Sequence, residues 1–284
     1  MTYPGEIARA DYDAHPGVRW SRLTNMRKSP LHYKHGLSMD RPETPALRTG
    51  LALHALVFEP ETYDSTFVVY RESKTKGVGA KKNWEEFQAT NTRIILDEDE
   101  ETRALGCATS IRRAVPDLIG PEIGRAEIPI TWTDERTGIL CKARLDWVTH
   151  TGLALDLKSC RSSELRAFGR QAWHLGYFHQ QIFYLMGLAA ATGQKLSDIP
   201  FRIVAVESEE PHDVAVFEPC AETRDAAEIE VNALLDRLAE CQRTNTWPGR
   251  YEGTMQLSAP AYVLMSDDEE WETKVTGGST DAAF

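Results

Sequence analysis

The chain has no run of 18 apolar residues, so nothing in it is expected to span a membrane. Its opening stretch, MTYPGEIARADYDAHPG, has no apolar segment of the kind a secretory signal needs. Cysteine is scarce and scattered. Cys107, Cys141, Cys160, Cys220 and Cys241 are odd in number and form no CxxC pair. That pattern argues against a zinc ribbon, an iron–sulfur cluster and a disulfide framework, and a reducing cytoplasm is the expected compartment. A basic excess is missing as well: 32 Lys and Arg face 43 Asp and Glu, for a formal charge of −11. A protein that holds nucleic acid by charge alone is usually basic. The acidity weighs less against an enzyme that meets DNA through bound metals and a local basic surface.

What is present is an ordinary globular composition, 42% apolar and 26% charged over 284 residues. One domain is expected over 1–265, mainly helical over 1–120 and sheet-based over 121–265. Residues 266–284, acidic and then rich in Gly, Ser and Thr, read as a flexible tail. No internal repeat is visible.

The helical period dominates the first part. WSRLTNMRKSPLHYKHGLS reads as a helix capped by Ser21 and ended by Pro30. A second helix is predicted over Ala46 to Phe58, stopped by Pro60. RESKTKGVGAKKNWEEF reads as a basic, glycine-bearing loop that runs into a helix. Asp97 to Val115 reads as an amphipathic helix with acids early and arginines late, as the helix dipole prefers.

The period then changes from 3.6 to 2. AEIPITWTD, GILCKARLDWVTH and LALDLKS read as three strands joined by the turns DERTG and THTG, an antiparallel meander. SSELRAFGRQAWHLGYFHQQIFYLMGLAAATG reads as one long helical region. Two short strands, IPFRIVAVES and DVAVFEP, and a last helix, CAETRDAAEIEVNALLDRLAECQRT, follow. The order predicts an α/β (α+β) fold with a mixed central sheet flanked by helices.

Charged side chains on otherwise apolar strands need partners. On a strand, alternate residues share a face, so Asp156 and Lys158 stand together while Leu155 and Leu157 face the core. Asp146 shares a face with Arg144 and Lys142 on the preceding strand. Antiparallel pairing can set Asp146 near Asp156, and Glu127 on the strand before could join them. Carboxylates this close repel unless a cation lies between them, and hard oxygen donors suit Mg²⁺, with Mn²⁺ as a substitute. A lysine beside such a group can orient water or stabilise charge on a phosphate, which is the kit of metal-assisted phosphodiester hydrolysis. A lone D-x-K on a strand is more often a solvated face, and Asp–Lys pairing would explain it too. Gln180 and Tyr184 lie four apart on one helix face, with Tyr177 three before Gln180. They could contact a phosphate or a base, or Tyr184 could be a core aromatic. His54 lies in an apolar helix, where a packed core histidine is the commoner reading and a metal ligand the alternative.

These residues resemble the PD-(D/E)xK nuclease superfamily. RLD and DLK, with their aspartates ten positions apart, followed by Q-x-x-x-Y carry the likeness, and TGLALHALVFEP resembles the histidine element of the RecB-type branch. The order of motifs along most of the chain is similar to RecE-like exodeoxyribonucleases of phages and prophages. The resemblance implies that Asp146, Asp156 and the backbone carbonyl of Leu157 hold the metal, with His54 completing the site and Glu127 as a less certain ligand. It implies Lys158 as the catalytic lysine and Gln180 and Tyr184 as supporting groups. The proline of the family motif is absent, since Leu145 precedes Asp146, and Asp156 replaces the commoner glutamate. The resemblance further implies 5′ to 3′ resection of linear double-stranded DNA from a free end. The products would be 3′ single-stranded tails for a strand-annealing recombinase, and the enzyme a ring-shaped homo-oligomer in the cytoplasm of a bacterium or phage-infected host. Lys74, Lys76, Lys81, Lys82 and Arg144 are the candidate DNA contacts. A catalytically silent nucleic-acid-binding or assembly protein, and an endonuclease or repair nuclease on the same core, remain open alternatives.

Overall fold

A computed structural model describes residue 3 and residues 5–39 and 43–259; the expected tail, 266–284, lies outside the described residues. The N-terminal part opens with three short helices, α1 (Arg9–Ala14), α2 (Trp20–Leu23), which passes through a 3-10 turn at Thr24–Arg27, and α3 (Pro30–Gly36). The sequence reading of one helix ended by Pro30 is corrected here. Pro30 begins α3, because proline at the first helical position loses no hydrogen bond, and Ser29 Oγ accepts from the His32 N–H at 3.2 Å. Helix α4 (Pro45–Phe58) starts the same way, with Thr44 as its N-cap.

A short helix α5 (Tyr63–Thr66) leads into strand β1 (Phe67–Tyr70), and helix α6 (Ala80–Thr90) into strand β2 (Ile94–Asp97). β1 and β2 pair in parallel as a small separate sheet that the sequence reading missed. Four residues are too few to display an alternating pattern. Helix α7 (Glu98–Ala114) opens on a capping box, in which Asp97 accepts from the Glu100 N–H and Glu100 accepts from the Asp97 N–H.

The main sheet follows: β3 (Gly124–Thr133), β4 (Leu140–Thr149) and β5 (Ala154–Cys160) form the expected antiparallel meander. The first turn closes because Asp134 Oδ1 accepts from the Thr137 N–H and Gly138 takes the left-handed conformation, φ +72°. The region read as one long helix is two, α8 (Leu165–Leu175) and α9 (Tyr177–Thr192). Gly176 between them sits at φ +79°, where any Cβ would be strained and would meet Arg27 and Trp20. Strand β6 (Phe201–Glu207) returns parallel to β5, β7 (Val214–Phe217) pairs antiparallel with β6, and α10 (Ala221–Thr244) is the last helix among the described residues.

The five strands lie in the order β3-β4-β5-β6-β7. Helices α9 and α10 cover one face over Ile130, Ala143, Leu145, Ile203 and Ala205. Helices α4 and α7 cover the other over Trp147, Leu155, Leu157 and Val204. Leu145 and Trp147, two apart on β4, enter opposite cores. The reversal coincides with Glu127 on β3, a non-glycine residue at φ +49° beside the point where the strands change face.

Candidate active site

The ladder between β4 and β5 is short. Trp147 pairs with Leu155 and Val148 with Ala154, and pairing stops there. Just beyond, the Asp146 side chain replaces a ladder acceptor: the Leu157 N–H donates to Asp146 Oδ2 at 3.0 Å. The strands part at the point where sequence periodicity placed the carboxylates, which leaves room for side-chain chemistry between them.

Three elements converge there. His54 from α4, Glu127 from β3 and Asp146 from β4 each present a ligand atom, and all three atoms lie within 4.8 Å of one another. His54 Nε2 faces the Leu157 carbonyl at 3.1 Å. A carbonyl can only accept, so Nε2 carries a proton, and in the neutral ring Nδ1 is then the bare nitrogen. Nδ1 faces Asp146 Oδ2 at 3.7 Å, and the neutral Nε2–H tautomer is the one in which it could ligate a metal. The Leu157 carbonyl keeps its second lone pair.

Glu127 Oε2 is buried without a hydrogen bond among the described residues, although Arg144 Nε lies 2.5 Å away. Burial raises the Glu127 carboxyl above its usual range, Arg144 pulls it down and Asp146 pushes it up. Two carboxylates, one bare imidazole nitrogen and a nearby carbonyl make a donor set of mostly hard oxygens, one that fits a divalent ion of the Mg²⁺ or Mn²⁺ type.

Asp156 does not belong to that three-residue cluster. Its Oδ2 pairs with Lys158 Nζ at 2.6 Å and its Oδ1 accepts from Gln180 Nε2 at 3.3 Å. Gln180 also donates to Tyr184 Oη at 3.0 Å, so Asp156, Gln180 and Tyr184 form one chain of hydrogen bonds from β5 to α9. Burial pushes the Asp156 carboxyl up to about 6, against the pull of Lys158 and with the push of Asp146. Burial alone would lower the Lys158 amine, but Asp156 and Asp146 outweigh it, so Lys158 stays protonated at neutral pH. Its Nζ also sits 5.1 Å from the centre of the Tyr177 ring. Burial, then Asp146 and Asp156, hold the Tyr184 phenol well above its usual range, so it remains a donor.

Other sequence candidates lie elsewhere or are already occupied. Arg144 is held by Glu127. Lys142, read as sharing the Asp146 face, is buried and donates to the carbonyls of Tyr12 and His15 at 2.7 and 2.8 Å, which caps the end of α1. Lys74 lies 3.6 Å from Asp97 and over the Trp84 ring, and Lys81 and Lys82 pair with Glu85 and Glu86 one helical turn on. Lys76 is exposed. Surface pairs of this kind contribute roughly 0–1 kcal/mol, so phosphates could displace the acids. Sequence reasoning missed Gln171 of α8, which eases the rise that burial imposes on the Tyr177 phenol beside Lys158. Nothing short of the α8–α9 corner could have located it.

The profile of a family described as a "PDDEXK-like domain of unknown function (DUF3799)" matches residues 20–258. No curated protein matches the chain in sequence. Among solved structures, a crystal structure from Eubacterium rectale, described as a candidate exonuclease, superposes with a TM-score of 0.60 at 14% identity. The alignment covers 92% of this chain and 98% of that one. At that identity the likeness is one of fold. The structure of SSO0001 aligns over 79% of this chain and 84% of its own at 15% identity, but its TM-score of 0.29 carries no argument. No helix among the described residues is long and apolar enough to cross a membrane.

Proposed function

The chain belongs to the PDDEXK-like family DUF3799, and from that premise we propose that it is a divalent-metal-dependent exodeoxyribonuclease acting on linear double-stranded DNA. The observation that carries the reading is the convergence of His54, Glu127 and Asp146 within 4.8 Å, next to the Asp156–Lys158 pair at 2.6 Å. His54 Nδ1, Glu127, Asp146, Asp156 and the Leu157 carbonyl would hold Mg²⁺, with Mn²⁺ as a substitute. A bound ion supplies charge to the scissile phosphate and lowers the pKa of a water that attacks it.

The remaining work falls to the chain itself. Lys158, kept protonated by its two acidic neighbours, stabilises the charge that builds on the phosphate oxygens. Gln180 fixes the Asp156 carboxylate through one amide hydrogen and orients the Tyr184 hydroxyl with the other. Tyr184 keeps its own proton to donate. The expected polarity is 5′ to 3′, leaving 3′ single-stranded tails for an annealing recombinase, with a ring-shaped homo-oligomer enclosing the duplex.

Linear duplexes labelled at either 5′ or 3′ ends, incubated with Mg²⁺ and then with EDTA, test the reading. Metal-dependent release of the 5′ label first, lost in Asp156→Asn, supports it. Cleavage of covalently closed circles would reassign the protein as an endonuclease. Binding without hydrolysis under any divalent ion would make it a catalytically silent DNA-binding protein.

A further inference from the structure

Helix α8 packs against α9. Its Phe168 ring lies 6.3 Å from that of Tyr177, over which Lys158 Nζ sits. Phe168 and Ala172 bury the inner face of α8. Arg166 and Arg170, four apart, are exposed on the outer face, with Arg161 exposed in the segment leading to the helix. None of these three guanidiniums has a hydrogen-bond or ion-pair partner among the described residues, whereas Arg9, Arg48, Arg71 and Arg144 are each tied to a glutamate.

The nearby acid, Glu164, spends its carboxylate on the N–H groups of Arg166 and Ala167 at 2.9 and 2.7 Å. Those two bonds hold its pKa down, and Arg170 adds to the effect. In a chain with 43 acids for 32 bases, these three exposed arginines fall within ten residues of one another, on and just before the helix that follows the D-x-K strand. Guanidinium groups bind phosphate through paired N–H donors. Cβ atoms one helical turn apart are separated by roughly 6 Å, and each strand of a duplex carries one phosphate per about 3.4 Å of its axis, so two long arginine side chains can reach neighbouring phosphates.

We propose that the outer face of α8, through Arg166 and Arg170 with Arg161 at its approach, holds the phosphate backbone of duplex DNA as it enters the site. The inference rests on the nuclease reading and adds the path of the substrate. It replaces the paired lysines Lys74, Lys81 and Lys82 as the principal contact.

The test is duplex binding in EDTA, followed by fluorescence anisotropy across a salt series, so that binding is separated from hydrolysis. Arg166→Glu/Arg170→Glu should weaken binding more than tenfold. The milder Arg166→Gln/Arg170→Gln should reduce the slope of log K against log salt by about 2. Arg136→Glu/Arg243→Glu makes the same change in net charge at two arginines paired elsewhere on the surface, and should weaken binding less than threefold. Unchanged thermal melts show that the variants fold. If the α8 variants bind as the parent does, or the control loses as much, the α8 track is wrong while hydrolysis by the parent keeps the nuclease reading intact. If the parent neither binds nor cuts duplex DNA, both fall together.

Discussion

Asp146 accepts a hydrogen bond from the backbone N–H of Leu157 at 3.0 Å, so one carboxylate both props two strands apart and faces a candidate metal site. The two duties respond differently to substitution. Asp146→Ala leaves a buried N–H without an acceptor, which costs about 1–3 kcal/mol. Asp146→Asn keeps a side-chain oxygen for Leu157 but loses the anionic ligand. The alanine variant should melt several degrees below the parent and the asparagine variant close to it. Both should lose Mn²⁺-induced stabilisation and nuclease activity by a factor of about 10³ or more, since removing a catalytic metal ligand is far costlier than weakening a contact. Equal melting of both variants would mean that the Leu157 bond contributes nothing.

With Asp156 in the proposed ligand set, its carboxyl is expected to set the pH dependence of metal uptake. Its carboxyl is pushed up to about 6 by burial, with Lys158 opposing and Asp146 adding to the rise. In the metal-free protein a proton therefore competes with the ion below that pH. Mn²⁺ affinity, read by titration calorimetry, should rise by about tenfold per pH unit from pH 5 towards 6 and level off above it. The stability of the metal-free chain runs the other way. A raised carboxyl pKa means that the folded state holds the proton more tightly, so stability declines as pH climbs from the ordinary 3.8 through 6. Asp156→Asn should abolish both trends, and a flat affinity profile in the parent would remove Asp156 from the ligand set.

The meander and its D-x-K strand were legible because ten-residue strands with apolar alternation leave a strong period, and because DERTG and THTG are turn chemistry. The α8–α9 corner was not, since Gly176 sits inside an apolar run that reads as continuous helix. Pro30 shows the ambiguity of proline, which stops one helix and starts another with equal ease; only the Ser29 cap decides. Among the candidate site residues, periodicity grouped Asp156 with Lys158 correctly but also grouped Lys142 with Asp146. The reversal near Glu127 and the pull of the α1 carbonyls separate that second pair. The approach of His54 to Asp146 joins positions about ninety residues apart through helix packing, which no local pattern encodes. The ion pairs of Lys81 and Lys82 with Glu85 and Glu86 were readable at i,i+4 spacing, whereas the freedom of the α8 arginines required the fold.

Thiol chemistry offers a direct check on burial. Cys107 and Cys160 are pushed up to about 11 and Cys141 to about 12, in each case chiefly by burial, and Cys241 is raised by the same cause. Cys220 alone is exposed. Because the thiolate is the reactive form, an aromatic disulfide reagent at pH 7.5 should modify one thiol per native chain quickly and all five only after denaturation. Peptide mapping should place the fast adduct at Cys220. Rapid reaction at Cys107 or Cys160 would show that the sheet opens locally.

His179 supplies the last expectation, because it ties the corner that carries Gln180 to the rest of the helical layer. Its ring is fully buried and stacks on Trp20 at 5.9 Å. Its Nε2 lies 2.7 Å from Glu230 Oε2, and Arg27 holds the other oxygen of Glu230 at 2.8 Å while reaching the carbonyl of His174 at 3.2 Å. Burial lowers the His179 pKa despite the pull of Glu230, so the folded chain releases this proton more readily than the unfolded one. Acidification through the ordinary histidine value of 6.5 therefore favours the unfolded state. For Glu230, burial pushes the carboxyl up, but the bonds from His179 and Arg27 more than offset it, and its net lowering adds a second loss of stability below about pH 4.5. The His179 contribution opposes that of Asp156 over the same range, so it is read as a difference: between pH 7.5 and 5.5 the melting temperature of the parent should fall relative to that of His179→Gln, which cannot titrate. The variant should also release Gln180 from its register, so nuclease activity drops more than the shift in melting temperature accounts for. Parallel pH profiles for parent and variant would show that the network carries no proton linkage and that its role is confined to packing.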